Sequence, residues 1–206
     1  MLSEKHRAYL LSRGYVEQMI QAEPACTIGA LGLSCLVPDS AAGWIGWECR
    51  SMGGAQIGMQ VKDSENSSYR WFQRVEANHL PIMYAIPEDY RILWKTGEVF
   101  VVEGIFDRVA MKRMFPEKAT IARLSKSVAK QLVIFLERYA RRVWLVMDMD
   151  EHGQEGAEQA SKRLGGGILT ERLMYPAMDP AELLKKKGVH GGREILELQM
   201  GRLGIF

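Results

Sequence analysis

The second half of the chain alternates between two periods of hydrophobic pattern. Val99-Phe100-Val101-Val102 and Val143-Trp144-Leu145-Val146-Met147 are short, continuous apolar runs rich in β-branched and aromatic residues. That is the texture of strands buried on both faces. Around them the spacing turns helical. Across residues 125–140, Val128, Leu132, Phe135, Leu136 and Tyr139 fall on one face. The pattern predicts strand 98–102, helix 106–114 stopped by Pro116, strand 119–124, helix 125–140, strand 142–147, helix 154–164 and strand 167–174. A helix starts at Asp179-Pro180-Ala181-Glu182, and a last helical segment covers 193–202. This alternation predicts an α/β fold with a mostly parallel sheet flanked by helices and right-handed crossovers.

Upstream the texture differs. Residues 2–13 carry a helical pattern with Ser3 as N-cap and Gly14 past the end, and a second short helix covers 16–22. Leu31–Val37, Trp44–Arg50, Gln56–Lys62 and Tyr69–Val75 have strand character and are separated by turn-rich segments, the signature of an antiparallel meander. No element is assigned to 76–96. The expected organisation is a smaller α+β subdomain at 1–96, the parallel-sheet subdomain at 97–178, and a C-terminal helical segment at 179–206 packing on the core.

The two buried runs end alike. One continues as Glu103-Gly104-Ile105-Phe106-Asp107 and the other as Asp148-Met149-Asp150-Glu151-His152-Gly153. Open α/β sheets bind ligands at the carboxyl ends of their strands. If these two strands are neighbours, Glu103, Asp148 and Asp150 meet. Carboxylates at close range demand a raised pKa or a bound cation, and a divalent metal is the economical reading. Asp107 and Asp179 are second-rank ligands. An acid in the first turn of a helix is favoured by the dipole alone, by about 0.3–1 kcal/mol. Asp-Pro-x-Glu is itself an ideal helix start, with Asp179 as cap and Glu182 closing a capping box. Capping alone also accounts for Asp150, but not for Glu103 as well.

Composition adds limits. The 206 residues are 47% hydrophobic and 25% charged, with a formal charge of +2, so any footprint for phosphates is local. Arg50, Lys62, Tyr69, Arg70 and Arg74 lie on the meander, where cations and a ring suit single-stranded nucleic acid. Lys126, near the start of helix 125–140, is read either as a surface lysine or as a contact to a nucleotide phosphate. Cys26, Cys35 and Cys49 form no CxxC pair, so a zinc ribbon is absent, and their odd number argues against a disulfide framework and for reduced thiols in the cytoplasm. No apolar run approaches the roughly 18 residues of a membrane span, so no membrane partner is expected. A GxxxxGK[ST] phosphate loop is absent. Gly165-Gly166-Gly167 is read as a helix stop and His152 as a loop residue.

Glu103-Gly104-x-x-Asp107 and Asp148-Met149-Asp150-x-x-Gly153 resemble the motifs of the Toprim domain shared by DnaG-like primases, topoisomerases and some nucleases. The likeness narrows to primases through Lys118–Gln131, through Asp179-Pro180-Ala181-Glu182-Leu183-Leu184, and through Val37-Pro38-Asp39 to Gly43-Trp44-Ile45-Gly46-Trp47-Glu48-Cys49-Arg50. The resemblance implies the catalytic core of a primase with Glu103, Asp148 and Asp150 as catalytic residues. It implies Mg²⁺ or Mn²⁺ as cofactor, single-stranded DNA as template and ribonucleoside triphosphates as substrates. A separate helicase and a separate zinc-binding protein are expected as partners, an arrangement that suits a phage or mobile element. Met149, His152 and Ser125 depart from the family pattern, and Ala181 stands where primases often supply a carboxylate. The same motifs are compatible with a Toprim nuclease or with a non-catalytic module that binds DNA or a replication partner.

Overall fold

The structure is a computed structural model and describes residues 2–22, 25–28, 42–65, 69–73, 83–124, 129–165 and 167–203. It divides into two compact units, Met1–Leu80 and Pro81–Phe206. Among the described residues no helix is long and apolar enough to cross a membrane.

The first unit contains α1 (Glu4–Ser12), α2 (Glu17–Ala22), β1 (Ala25–Thr27), β2 (Ile45–Arg50), β3 (Gln56–Lys62) and β4 (Tyr69–Gln73). The four strands form an antiparallel sheet in sequence order, as expected of a meander. Ser3 caps α1 by accepting from the His6 N–H at 3.3 Å. The expected strand Leu31–Val37 lies outside the described residues. The neighbour of β2 is instead the three-residue β1, with Ala25 opposite Trp47. Cys26, Ile28, Met59 and Val61 pack together under Trp44. A Cβ on Gly46 would lie 2.5 Å from Ile28 Cδ1, so glycine lets β2 pass this cluster. Cys26 and Cys49 are buried, unbridged thiols.

The second unit contains α3 (Pro87–Thr96), β5 (Glu98–Val102), α4 (Ile105–Met114), β6 (Ala119–Ala122), α5 (Lys130–Tyr139), β7 (Arg142–Val146), α6 (Glu151–Arg163), β8 (Leu169–Arg172) and α7 (Pro180–Leu203). Its sheet runs β6-β5-β7-β8 with every pairing parallel. Val102 lies opposite Ala122 on one side and Val146 on the other, so the two acidic strand ends are adjacent. Burial of Val99 to Val102 and of Val143 to Met147 explains their unbroken apolar runs. The apolar face of α5 is Leu132, Val133, Phe135 and Leu136.

Several bounds differ from the pattern for local reasons. Asp150 starts α6 at Glu151, three residues earlier than expected, because its side chain caps the helix. The two expected C-terminal helical stretches form one element, kinked at Gly188, whose φ of 68° is open to glycine. Beyond that kink, a Cβ on Gly192 would sit 2.5 Å from Met114 Sδ, and Arg193 Nη2 pairs with Glu117 at 2.8 Å. These contacts lay α7 against the end of α4. Helix α3 had no counterpart in the pattern. It opens on Pro87 and ends at Gly97 in the left-handed conformation, whose N–H bonds to Leu93 O at 2.7 Å.

A buried polar knot joins α3, α4 and β6. The side chains of Asp89 and Arg108 are wholly buried and paired with each other. Asp89 also accepts from the Thr120 N–H at 3.1 Å and the Ile86 N–H at 3.2 Å, while Arg108 Nε donates to Thr120 O at 3.1 Å. The guanidinium lies 5.2 Å from the centre of the Tyr84 ring, and Tyr84 itself bridges to Ala122 at the edge of β6. Removing Arg108 leaves the buried Asp89 with Lys112 Nζ, 3.3 Å away, as its remaining counter-charge. Arg108→Met is therefore expected to cost roughly 3 kcal/mol or more, measured as a lower urea midpoint. Arg91→Ala, which breaks an exposed pair with Glu88, is expected to change stability by less than about 1 kcal/mol.

Candidate active site

The chain leaves β5 at Glu103 and enters α4 through Gly104, whose N–H donates to Asp107 Oδ2 at 3.1 Å. It leaves β7 through the buried Met147 to Asp148, whose N–H donates to Glu103 Oε1 at 3.4 Å. Asp150 then caps α6, accepting from the Gly153 N–H at 2.7 Å. A Cβ on Gly153 would lie 2.0 Å from the Asp148 carbonyl oxygen. Only glycine lets α6 begin so close to the strand end, which gives the glycine after Asp-x-Asp its physical reason.

Asp179 comes from farther along the chain. Its Oδ1 accepts from the Glu182 N–H at 2.6 Å, and Glu182 reaches back to the Met178 N–H at 2.7 Å. The segment is tied to the Asp148 loop by Met149 N–H to Met178 O at 2.7 Å and by Tyr175 O–H to Met147 O at 2.7 Å. Arg172 Nη2 donates to Asp148 O at 3.2 Å. Ala181 sits in the first turn of α7, so no carboxylate is supplied there.

These acids feel one another. Burial pushes Asp107 up to about 8, and the charges of Asp148 and Asp179 add to the shift. Burial likewise pushes Asp148 up to about 7, helped by Glu103, Asp179 and Asp150 and opposed by Arg123. Tyr175 is raised by burial and by the same carboxylates. Among the described residues Asp148 Oδ1 is buried without a hydrogen-bond partner, and no three His, Cys, Asp or Glu side chains are close enough to hold a metal by themselves. Mg²⁺ is commonly held by one or two carboxylates, with waters and substrate phosphates completing its octahedron. An all-oxygen, mutually repelling set with an orphaned oxygen fits such an ion.

Arg123 was not anticipated. It follows β6, is 1% exposed, and its Nη2 pairs with Glu103 Oε2 at 2.8 Å. Its Nε and Nη1 are buried and unpartnered among the described residues, and a Cβ on Gly156 would crowd Nη1 at 2.8 Å. The signal available was a lone arginine closing the apolar run Ala119–Ala122. Glu103, Arg123, Asp150 and His152 line a pocket of about 480 Å³ with the adjoining face of α6.

The other candidates fall in the first unit or outside the described residues. Arg50 pairs with Glu48 at 2.7 Å and donates to Gly54 O at 2.7 Å. Lys62 is 4% exposed, and burial lowers its pKa, so it stands inside the sheet and not on an open strand face. The backbones of Tyr69 and Arg70 pair with Lys62 and Val61. Arg74 and Lys126 lie outside the described residues.

Residues 100–184 match the Toprim-like family model. Among solved structures, the chain aligns with the zinc-binding and RNA polymerase domains of Aquifex aeolicus primase at a TM-score of 0.79 and 16% identity, over 95% of this chain and 56% of that one. The fold is that of a DnaG-type primase catalytic core. A DnaG primase catalytic domain bound to single-stranded DNA aligns at 0.75 and 18% identity, over 95% of this chain and 74% of that one. A DNA primase domain from Pseudomonas aeruginosa aligns at 0.76 and 18%, over 95% and 72%. The chain thus spans just over half of the Aquifex protein and about three quarters of the other two. No curated protein sequence matches it. The Toprim-like domain holds Glu103, Asp107, Asp148, Asp150 and Asp179, with Glu103 and Asp148 at the ends of adjacent strands.

A raised carboxyl pKa means that the folded state binds protons that the unfolded chain, titrating near 3.9, has already lost. The stability contributed by Asp107 and Asp148 is therefore full below about pH 4 and lost as pH rises through about 7 and about 8. The Tm of the metal-free protein is expected to fall over that range and Asp107→Asn to flatten the fall. Mn²⁺ added at about pH 8 is expected to restore the Tm by binding the ionised carboxylates. A Tm indifferent to both pH and Mn²⁺ would contradict the electrostatic account.

Proposed function

We propose that the chain is a primase catalytic core that joins ribonucleotides into a short primer on single-stranded DNA by metal-dependent nucleotidyl transfer. The supporting observation is the meeting of Glu103 and Asp148 at adjacent parallel strand ends, within the field of Asp107, Asp150 and Asp179. We assign Glu103, Asp148 and Asp150 as catalytic residues and as ligands of Mg²⁺ or Mn²⁺, with Asp107 and Asp179 completing the acidic field. When bound, such an ion lowers the pKa of an attacking 3′-hydroxyl and neutralises charge on the leaving pyrophosphate.

The protein residues prepare that chemistry. Arg123 and the Asp148 N–H each take one oxygen of Glu103, fixing the carboxylate plane while leaving each oxygen a further lone pair. The Asp150 cap fixes the start of α6, and the tethers from Arg172, Tyr175 and Met178 hold the Asp148 loop. On this reading the first unit carries the template, with Arg50, Tyr69, Arg70 and Arg74 as contacts; that a similar DnaG catalytic domain binds single-stranded DNA supports a nucleic-acid ligand for the chain. Lys126 would meet nucleotide phosphate.

Primer synthesis on single-stranded DNA with ribonucleoside triphosphates and Mn²⁺ is the test. Asp148→Ala and Asp150→Ala are expected to abolish it and to weaken Mn²⁺ binding measured by calorimetry. Full activity in either variant would overturn the ligand assignment. Cleavage of DNA without added nucleotides would identify a Toprim nuclease instead, and failure to bind Mn²⁺ would identify a non-catalytic module.

A further inference from the structure

The exposed face shared by α3 and α5 takes no part in the acidic site. The helices meet along an aromatic seam, with Tyr90 and Phe135 edge to face at 6.2 Å and Trp94 and Tyr139 also 6.2 Å apart. Tyr90 and Phe135 are buried, but Trp94 is 73% exposed, whereas Trp47 and Trp144 are buried. An indole so open on a folded surface is the kind of feature that marks a contact.

Cations surround it. Lys95 is the next residue on α3, and Lys130, Ile134 and Arg138 recur at every fourth position of α5 with all of them exposed. That row is about 12 Å long. Arg138 lies 5.6 Å from the Tyr139 ring centre, and Arg141 donates to Thr96 O at 3.0 Å just past the helix. Among the described residues, none of Lys95, Lys130, Arg138 and Arg141 pairs with a carboxylate, while Glu88 neutralises Arg91. The acid within α5, Glu137, accepts from the Gly165 N–H at 3.4 Å. Four unneutralised cations thus gather on one face of a chain whose formal charge is only +2.

We infer that this face binds single-stranded nucleic acid, with Trp94 stacking on a base and Lys95, Lys130, Arg138 and Arg141 meeting phosphates. A flat indole beside a row of cations suits a polymer of planar bases and regularly spaced anions better than it suits an acidic peptide. Trp94, Lys95, Arg138 and Arg141 lie where β5 and β7 begin, a five-residue strand or about 16 Å from the carboxylates at their ends, while Lys130 at the start of α5 lies toward the other end of the sheet. Nucleic acid held here is therefore a contact additional to the proposed catalytic site, and the inference stands whether or not the chain makes primers.

The test is fluorescence anisotropy of a labelled oligothymidylate with the full chain, free of metal and nucleotides, over a range of salt. Trp94→Ala is expected to weaken binding at least about fivefold, and Trp94→Phe to keep most of the affinity while losing quenching of tryptophan emission. The pair Lys95→Gln and Arg138→Gln is expected to lower the salt slope by about 1.4, at about 0.7 for each lost phosphate contact. Wild-type binding and slope in all these variants would overturn the inference. So would displacement of the oligonucleotide by polyglutamate at equal charge concentration, which would assign the face to an acidic protein. Self-association abolished by Trp94→Ala with DNA binding unchanged would overturn it in favour of a second copy of the chain.

Discussion

The second unit hangs on one desolvated ion pair. Asp89 and Arg108 lie where water does not reach, and such a pair is tolerable only because nearly every remaining lone pair and proton finds a partner. Those partners come from three elements, so the pair works as a joint between α3, α4 and β6. Its geometry has consequences in both directions along the chain. Arg108 follows Asp107, so anchoring the arginine orients the first turn of α4 and the carboxylate it presents. Thr120 precedes Arg123 by three residues on the same extended path, so the same joint delivers the counter-charge of Glu103.

The acidic strand ends are the opposite case, a set of like charges that the fold crowds without neutralising. Arg123 pairs with Glu103 and only partly offsets the rise at Asp148. Burial first, and the neighbouring carboxylates after it, raise Asp107 to about 8 and Asp148 to about 7. Stability is given up here and kept elsewhere, the pattern expected where a site is shaped for something that arrives from solution. The caps are part of the same economy: Asp150 and Asp179 each satisfy a helix terminus while remaining in the shared field. The two readings open for each of these residues, helix cap and ligand, are compatible in one geometry.

What could be read in the sequence was what neighbours in the chain determine. The continuous apolar runs of β5 and β7, their acidic ends and the turn residues between them gave a parallel sheet and put Glu103 beside Asp148. The cap at Asp179 and the stop before Gly165 were equally local. Partners distant in sequence left no such trace. Nothing in the texture of residues 87–120 announces that Asp89 will meet Arg108, or that Arg123 will turn inward to Glu103. Lys62 is grouped by its sequence with the cations of the meander, yet it is buried. Helix α3 was passed over although Pro87 and Gly97 punctuate it, since its apolar stripe is narrow and rests on aromatic contacts to α5.

The kink at Gly188 gives α7 a mechanical meaning. One arm starts at Asp179; the other lies against the end of α4 through Gly192, Met114 and the Arg193–Glu117 pair. Helix α4 in turn starts beside Asp107. The two helices thus act as the legs of a caliper, clamped at one end and tipped at the other by the two second-rank acids. The bend at a single exposed glycine thus lies between the arm that begins at the acidic site and the arm that rests on the far end of α4.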